Sequence, residues 1–363
     1  MSSESTGYGP TDIEVLTGRE AVRKRPGMYI GSTGERGLCH MVFEIAERAV
    51  NEVLAGRASR VDITLTPDGG VRVADDGPGD PELGDRLTTL GAVPGPRGRV
   101  DVPLGYVGVG PFVVNVLSSR LTAEVHGERV QAYERGIAVT PPAATGPAAG
   151  QGTAITFHPD PEVFDGTALP FDTLAERFDE LTYLNRALDM TLTDLRTEGE
   201  PRSLRFHHPD GVRELVATLD GEDTDILACE REDPRMGGMM ELALRRRDSG
   251  EPRIRGFANS RATYDGSHEA GFRAGVAAAL TAYARAHRLL PETAPDIDPE
   301  RATEGLTAVV SVKLDAPEFQ GSTRDVLGNA AARACVEEAV RECLAGWLEE
   351  RPEWASGWVR RVG

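Results

Sequence analysis

The chain has 363 residues and a formal charge of −18 at pH 7, a length that suits two domains of ordinary size, each with its own core. Negative charge in that excess repels nucleic acid, so stable DNA binding by this chain alone is not expected. No apolar run is long enough to cross a bilayer, and residues 1–10 lack the apolar core of a secretory signal, so no membrane partner is expected and the expected location is the cytoplasm. Cys39, Cys229, Cys335 and Cys343 show no paired metal-ligand spacing and are read as reduced thiols. Lysine occurs only at Lys24 and Lys313; every other fixed side-chain cation is arginine.

Residues 1–16 read as an arm, poor in core residues until Ile13, Val15 and Leu16. A short helical pattern leads into Arg23-Lys24-Arg25-Pro26-Gly27-Met28-Tyr29-Ile30-Gly31, where Pro26-Gly27 marks a turn. The spacing of Val42, Phe43, Ile45, Ala46, Ala49, Val50, Val53 and Leu54 predicts a helix over 40–56, closed by Gly56 in a left-handed cap. Glu44, Arg48 and Glu52 recur every four residues on another face. By themselves they read as an exposed ladder of weak ion pairs, but the sequence after them favours the wall of a polar cavity.

Residues 61–65 alternate as a strand, Pro67-Asp68-Gly69-Gly70 turns, and 71–74 return as the second arm of a hairpin. That arm runs into Asp75-Asp76-Gly77-Pro78-Gly79, which cannot continue a strand and leaves its carboxylates at the strand's end. Residues 82–104 are rich in Gly, Pro and Arg and read mostly as a mobile loop. Gly105-Tyr106-Val107-Gly108-Val109-Gly110 closes the loop and opens a helix through Leu117; glycines before a helix let backbone amides approach an anion.

Strands are predicted at 121–126, 129–133 and 153–157, a helix at 171–188 and one more strand at 190–193. The turn His208-Pro209-Asp210-Gly211 is taken as a domain boundary. The remainder mixes strands at 239–245, 254–259 and 308–314 with helices at 271–287 and 330–349, and Trp347 and Trp354 are read as core anchors.

With Arg25-Pro26-Gly27-Met28-Tyr29-Ile30-Gly31, the helix at 40–56, Asp75-Asp76-Gly77-x-Gly79 and the 105–110 loop in that order, the sequence resembles the ATPase half of the DNA gyrase B family. The likeness extends through Gly266-Ser267-His268, Gly271-Phe272-Arg273, Glu304-Gly305-Leu306 and Ala308-Val309-Val310-Ser311-Val312-Lys313, which are similar to the transducer domain of that family. It implies an α/β fold of two parts. One is a GHKL (Bergerat) ATPase-like α+β sandwich over 17–208, with helices on one sheet face, preceded by a dimerisation arm at 1–16. The other is a transducer-like domain of the ribosomal protein S5 type over 209–363. It also implies ATP as ligand. Glu44 stands where the family keeps its general base, Asp75 where a carboxylate accepts the adenine amino group, and Thr153 where a hydroxyl supports that contact. Gly79 matches the close approach to the base, and Gly105, Gly108 and Gly110 the phosphate-cradling loop. Tyr8 falls where the arm reaches the partner's nucleotide, which implies a homodimer.

The departures gather at the phosphate end. Arg48 replaces the asparagine that ligates magnesium, and a guanidinium has no acceptor with which to hold a cation. Pro78 replaces the arginine that pairs with the carboxylate matching Glu52, a pairing that Arg48 is placed to take over. Ser322-Thr323-Arg324 replaces the family's Gln-Thr-Lys, Arg97 and Arg99 stand in a lid without lysine, and Pro111 follows the last glycine. Magnesium is therefore doubtful and no metal site is assigned, with Arg48 and Arg324 left as the cations facing phosphate.

The expectation is a nucleotide-pocket protein with impaired or absent magnesium-dependent hydrolysis. The alternative is a small-molecule enzyme in which Glu44 is the acid or base, Arg48 an anion clamp, and Tyr106 or His40 a second proton donor, for cyclisation, isomerisation or dehydration. The sequence shows no metal-binding carboxylate domain after the transducer-like helices, so strand passage is expected to need a separate protein chain. A decoy for gyrase-directed inhibitors, binding through Asp75, is a further reading.

Overall fold

The computed structural model describes residues 18–91, 98–100, 102, 104, 108–125, 129–141, 152–166, 168–197, 199–221, 223–247, 250–321 and 323–362. The arm with Tyr8, and Arg97, Gly105, Tyr106 and Ser322, lie outside them.

The first half is built on one sheet. Its strands are β1 (Val61–Leu65), β2 (Val71–Asp75), β3 (Ser118–Val125), β4 (Arg129–Glu134), β5 (Ile137–Ala138), β6 (Thr153–Pro159), β7 (Met190–Asp194) and β8 (Arg202–Phe206). They run in the order β5-β4-β3-β6-β2-β1-β7-β8, with β1 and β7 parallel and the other neighbours antiparallel. Val61, Ile63 and Leu65 point to the buried face and Asp62 and Thr64 to the other, the alternation of a sheet covered on one side. Six helices belong to this half among the described residues: α1 (Gly18–Lys24), α2 (Gly27–Ile30), α3 (Glu35–Leu54), α4 (Leu83–Thr88), α5 (Pro111–Val116) and α6 (Phe171–Leu184). On α3, Met41, Val42, Ile45, Ala46, Ala49, Val50 and Val53 enter the core. Each large apolar side chain so buried contributes about 1.5–3 kcal/mol.

The central helix starts at Glu35, five residues before the reading from periodicity. Gly37 hides its first turn: a Cβ there would lie 1.9 Å from the Ser32 carbonyl oxygen, so close packing requires a residue unfavourable to a helix. The stretch read as a mobile loop also differs. It contains α4, and its far end is tied to α3, where Asn51 Oδ1 accepts from the Val102 amide (3.1 Å) and Glu47 Oε2 from that of Leu104 (3.1 Å). Residues 92–97, 101 and 103 of that stretch fall outside the described residues. The predicted helix at 171–188 ends at Leu184. Edge strand β8 escaped notice because only Phe206 of its five residues is buried.

The second sheet comprises β9 (Leu227–Asp233), β10 (Gly238–Arg246), β11 (Arg253–Ala258), β12 (Arg261–Thr263) and β13 (Leu306–Leu314) in the order β12-β11-β13-β10-β9. Strand β13 is central and covered on both faces, so it reads as an almost unbroken apolar run. Helix α7 (Val212–Asp220) packs on one face, against Ala243, Phe257 and Val309. On the other face lie α8 (Ser267–Ala286) and, beyond the short α9 (Pro299–Thr303), α10 (Ala330–Glu350). Helices α8 and α10 meet at Gly271 and Gly275, where a Cβ would lie 2.3 Å and 2.6 Å from the carbonyl oxygens of Arg333 and Glu337. A small hairpin, β14 (Phe319–Gln320) with β15 (Val326–Leu327), and a final helix, α11 (Pro352–Val362), complete the fold. Trp347 is buried and Trp354 half-buried; Trp354 meets both Trp347 and the fully buried Trp358 edge-on.

The cysteine reading needs correction. Cys229 on β9 and Cys343 on α10 form a disulfide across 114 residues of sequence, a juxtaposition that spacing along the chain cannot reveal. Cys39 and Cys335 are free and buried. Among the described residues, no helix is long and apolar enough to cross a membrane.

Candidate functional site

Helix α3 carries Arg36, His40, Glu44, Arg48 and Glu52 at four-residue spacing along one side. Glu44 is buried in the middle of this row. Its Oε2 accepts the Gly110 amide at 2.8 Å, and its Oε1 lies 3.1 Å from His40 Nε2. Gly108 and Gly110 take φ of +61° and +75°, a left-handed backbone that lets the loop turn over Glu44 before α5 begins. Pro111 fills the first position of α5, where a missing amide hydrogen costs nothing. The Gly110 amide therefore addresses the carboxylate.

Asp75 closes β2 and is buried beside the C-terminal half of α3. The Gly77 amide donates to its Oδ1 at 3.0 Å, and a guanidinium nitrogen of Arg48 donates to its Oδ2. Side-chain exposure is 9% for Arg48 and 1% for Asp75, so this ion pair is largely out of water. The neighbouring β6 places Thr153 opposite Asp75 in register. Thr153 is fully buried, and its hydroxyl has no hydrogen-bond partner among the described residues. Gly79 follows with φ +88°, and a Cβ there would meet Val125 Cγ1 at 2.7 Å. Asp76 faces away: burial raises its pKa, but the Ser59 hydroxyl and the Ser59 and Arg60 amides outweigh that and hold it below the usual range.

Arg48 does not take over Glu52, as the four-residue spacing suggested. Arg57 does, donating to both carboxylate oxygens at 2.7 and 2.8 Å, and these bonds depress the Glu52 pKa. Arg57 follows the helix rather than standing in the glycine motif, so neither helical periodicity nor the motif exposed it. With Glu52 engaged and Asp75 one strand away, the Arg48 guanidinium turns to the deeper carboxylate.

Arg324 lies elsewhere. It is exposed, has φ +55°, and lines a cavity of about 840 Å³ between the two halves, together with His40 and Phe43 of α3. Neither Glu44, Arg48, Asp75, Gly79, Thr153, Gly108 nor Gly110 lines that cavity. The structure thus groups Glu44, Arg48, Asp75, Thr153 and the described glycines around the C-terminal half of α3, while Arg324 faces its N-terminal half. His40 touches both.

The family model for DNA gyrase B matches residues 211–361. The DNA gyrase B protein of Streptomyces coelicolor is 37% identical over 98% of this chain and 57% of its own length. The novobiocin-sensitive gyrase B protein of Streptomyces niveus is 37% identical over 99% of this chain and 59% of its own. This chain therefore spans less than two thirds of those relatives. Among solved structures, the 43K ATPase domain of Thermus thermophilus gyrase B in complex with an aminocoumarin superposes with a TM-score of 0.78 at 32% identity, over 95% of this chain and 93% of that one. The topoisomerase IV ATP binding domain of Francisella tularensis, in complex with a small-molecule inhibitor, gives 0.75 at 28% identity, over 96% of each chain. Likeness at this identity across almost the full length of a solved ATPase domain, with Glu44 buried on one central helix, establishes that the chain belongs to the DNA gyrase B family.

Proposed function

We propose that this is a gyrase-B-like nucleotide-pocket protein that binds ATP with its purine at Asp75 and Thr153, and in which magnesium-dependent hydrolysis is impaired. The observation that carries the reading is the buried Arg48–Asp75 pair. The fully buried Thr153 hydroxyl without a partner fits a ligand beside Asp75, since such a group costs about 1–3 kcal/mol when left unpaired. A purine amino group reaching Asp75 must displace Arg48, whose guanidinium then becomes free for the ligand's own acceptors. Magnesium does not fit the same position, because the side chain that replaces the family's amide ligand there has only donors and a positive charge. No step through the metal is derived.

Isothermal titration with ATP, with and without magnesium, tests this. Saturable binding that magnesium changes little is expected; absence of binding at millimolar ATP defeats the reading. Within this proposal the chain divides into an arm at 1–16, an ATPase-like domain at 17–208 and a transducer-like domain at 209–363, and the arm joins two copies.

A second reading is favoured by the buried Glu44–His40 contact. His40 Nε2 and Glu44 Oε1 lie 3.1 Å apart without a hydrogen bond between them. That brings an imidazole and a carboxylate together in a nearly dry site for use as acid and base in a small-molecule isomerisation or dehydration. Glu44→Gln separates the readings: it abolishes turnover of a small molecule while leaving ATP affinity within about threefold.

A further inference from the structure

Strand β9 lies at the edge of the second sheet, and its alternating side chains divide it between two neighbours. On the side toward α10, Cys229 is bonded to Cys343, and Arg231 lies 2.8 Å from Glu342. Just past the strand, Arg235 reaches Glu338 on the same helix at 2.7 Å. On the other side, toward the first half, Glu230 meets Arg186 at 3.2 Å and Glu232 meets Arg99 at 2.7 Å. Arg99 also lies 3.1 Å from Asp315, whose amide donates to the Gly237 carbonyl in the β9–β10 turn at 2.8 Å. Both carboxylates that hold Arg99 therefore sit at the end of one hairpin.

Arg99 belongs to the turn Gly98–Val100, shortly before Val102 and Leu104, whose amides are held by Asn51 and Glu47 of α3. A continuous chain of contacts thus runs from α10 through β9 and Arg99 to the helix that carries Arg48. An exposed ion pair contributes little against the entropy of ordering its side chains, so the hold on Arg99 depends on a strand that is itself fixed. The disulfide fixes it, and a bond that is either closed or open gives β9 two discrete states. Its sulfurs are within reach of a reductant: Cys229 and Cys343 are half-buried, whereas the free Cys39 and Cys335 are buried. Met240, Phe272, Val310 and Trp358 remain fully buried around the same core, so the second half does not need the bond to stay folded.

We propose that Cys229–Cys343 is a redox-controlled tie: a dithiol reductant opens it, the β9–β10 hairpin loosens from α10, and the hold of Glu232 and Asp315 on Arg99 relaxes, releasing the 98–104 stretch from α3. In the exchange, a thiolate of the reductant attacks one sulfur to form a mixed disulfide, and the reductant's second thiolate then displaces the protein sulfur. Two electrons and two protons end on Cys229 and Cys343, and the reductant leaves as its own disulfide. The coupling is independent of which ligand binds at Asp75.

Hydrogen exchange of the full chain, followed by mass spectrometry with and without dithiothreitol, tests this. Reduction is expected to speed exchange about tenfold in peptides covering 227–233 and 98–104, while a peptide covering 41–50 of α3 keeps its rate. Cys229→Ser should exchange fast at both segments whether or not reductant is present. Arg99→Gln should exchange fast at 98–104 in either state and yet keep the response of 227–233. Faster exchange confined to 227–233 and α10 makes the bond a structural staple and overturns the proposal. An unreduced chain that titrates four thiols overturns it as well, as does an equal rise in the α3 peptide, which marks general unfolding.

Discussion

The Arg48 guanidinium and the Asp75 carboxylate are held at 9% and 1% side-chain exposure, so a ligand that parts them must offer each a replacement partner. Arg48→Asn frees Asp75 and restores an amide oxygen capable of ligating a cation. Its expected effect is a gain of at least tenfold in ATP affinity in the presence of magnesium, read by calorimetry. The thermal midpoint of the ligand-free protein should fall at the same time, because an uncompensated buried carboxylate costs about 3–5 kcal/mol. Unchanged affinity would show that the pair does not govern entry. His268 offers a separate test. Its imidazole is fully buried, with Nε2 3.2 Å from the Thr263 hydroxyl, and burial pushes its pKa down to about 4. The unfolded chain takes up this proton near pH 6.5 and the folded chain does not, so stability falls as pH drops between those values, by about 3 kcal/mol in all. Urea unfolding at pH 7 and pH 5 should show a pH-dependent loss in the parent chain that exceeds the loss in His268→Gln.

Among the elements, α3 binds the site to the core, and its row of ionisable residues was legible from four-residue spacing alone. What that spacing lacked was depth. Glu44 and Arg48 are buried because the 108–110 loop and the end of β2 close over them, while Glu52, one turn further, reaches Arg57. At the other end of the fold, the disulfide from β9 to α10 closes a loop of 114 residues. In the chain-entropy model a link of that length stabilises by about 4–5 kcal/mol. The unreduced, denatured chain should therefore titrate two thiols, and reductant should lower its thermal midpoint; four free thiols would exclude the bond. Strand β9 is an edge strand whose exposed alternation gives little apolar signal, whereas α7, with Val212, Leu215, Val216 and Leu219 at i, i+3, i+4 and i+7, was legible from helical spacing.

For the whole molecule, the charge of −18 and the arm lead to the same experiment. Sedimentation of the full chain with ATP is expected to show a dimer, and removal of residues 1–16 should leave a monomer under the same conditions. Neither species should retain a DNA duplex at physiological salt, measured by fluorescence anisotropy, because the acidic surface opposes the phosphate backbone. Between the halves, Asn185 donates to the Ser260 hydroxyl at 2.9 Å, and Arg99 bridges to Glu232 and Asp315 at 2.7 and 3.1 Å. These bonds set the position of the second sheet against α3 and α6, and with it the cavity that Arg324 and Tyr264 face.

Sequence by itself determined the family resemblance, the central helix, the hairpin that delivers Asp75 and the substitution at position 48, because these are local patterns of period, turn and motif. It could not determine which carboxylate Arg48 meets, which cation attends Glu52, that Cys229 faces Cys343, or that Arg324 borders a space apart from Asp75. Each of these depends on side chains distant along the chain but adjacent in space. An ion pair forms with whichever opposite charge packing brings within reach and desolvates, and that choice belongs to the tertiary structure.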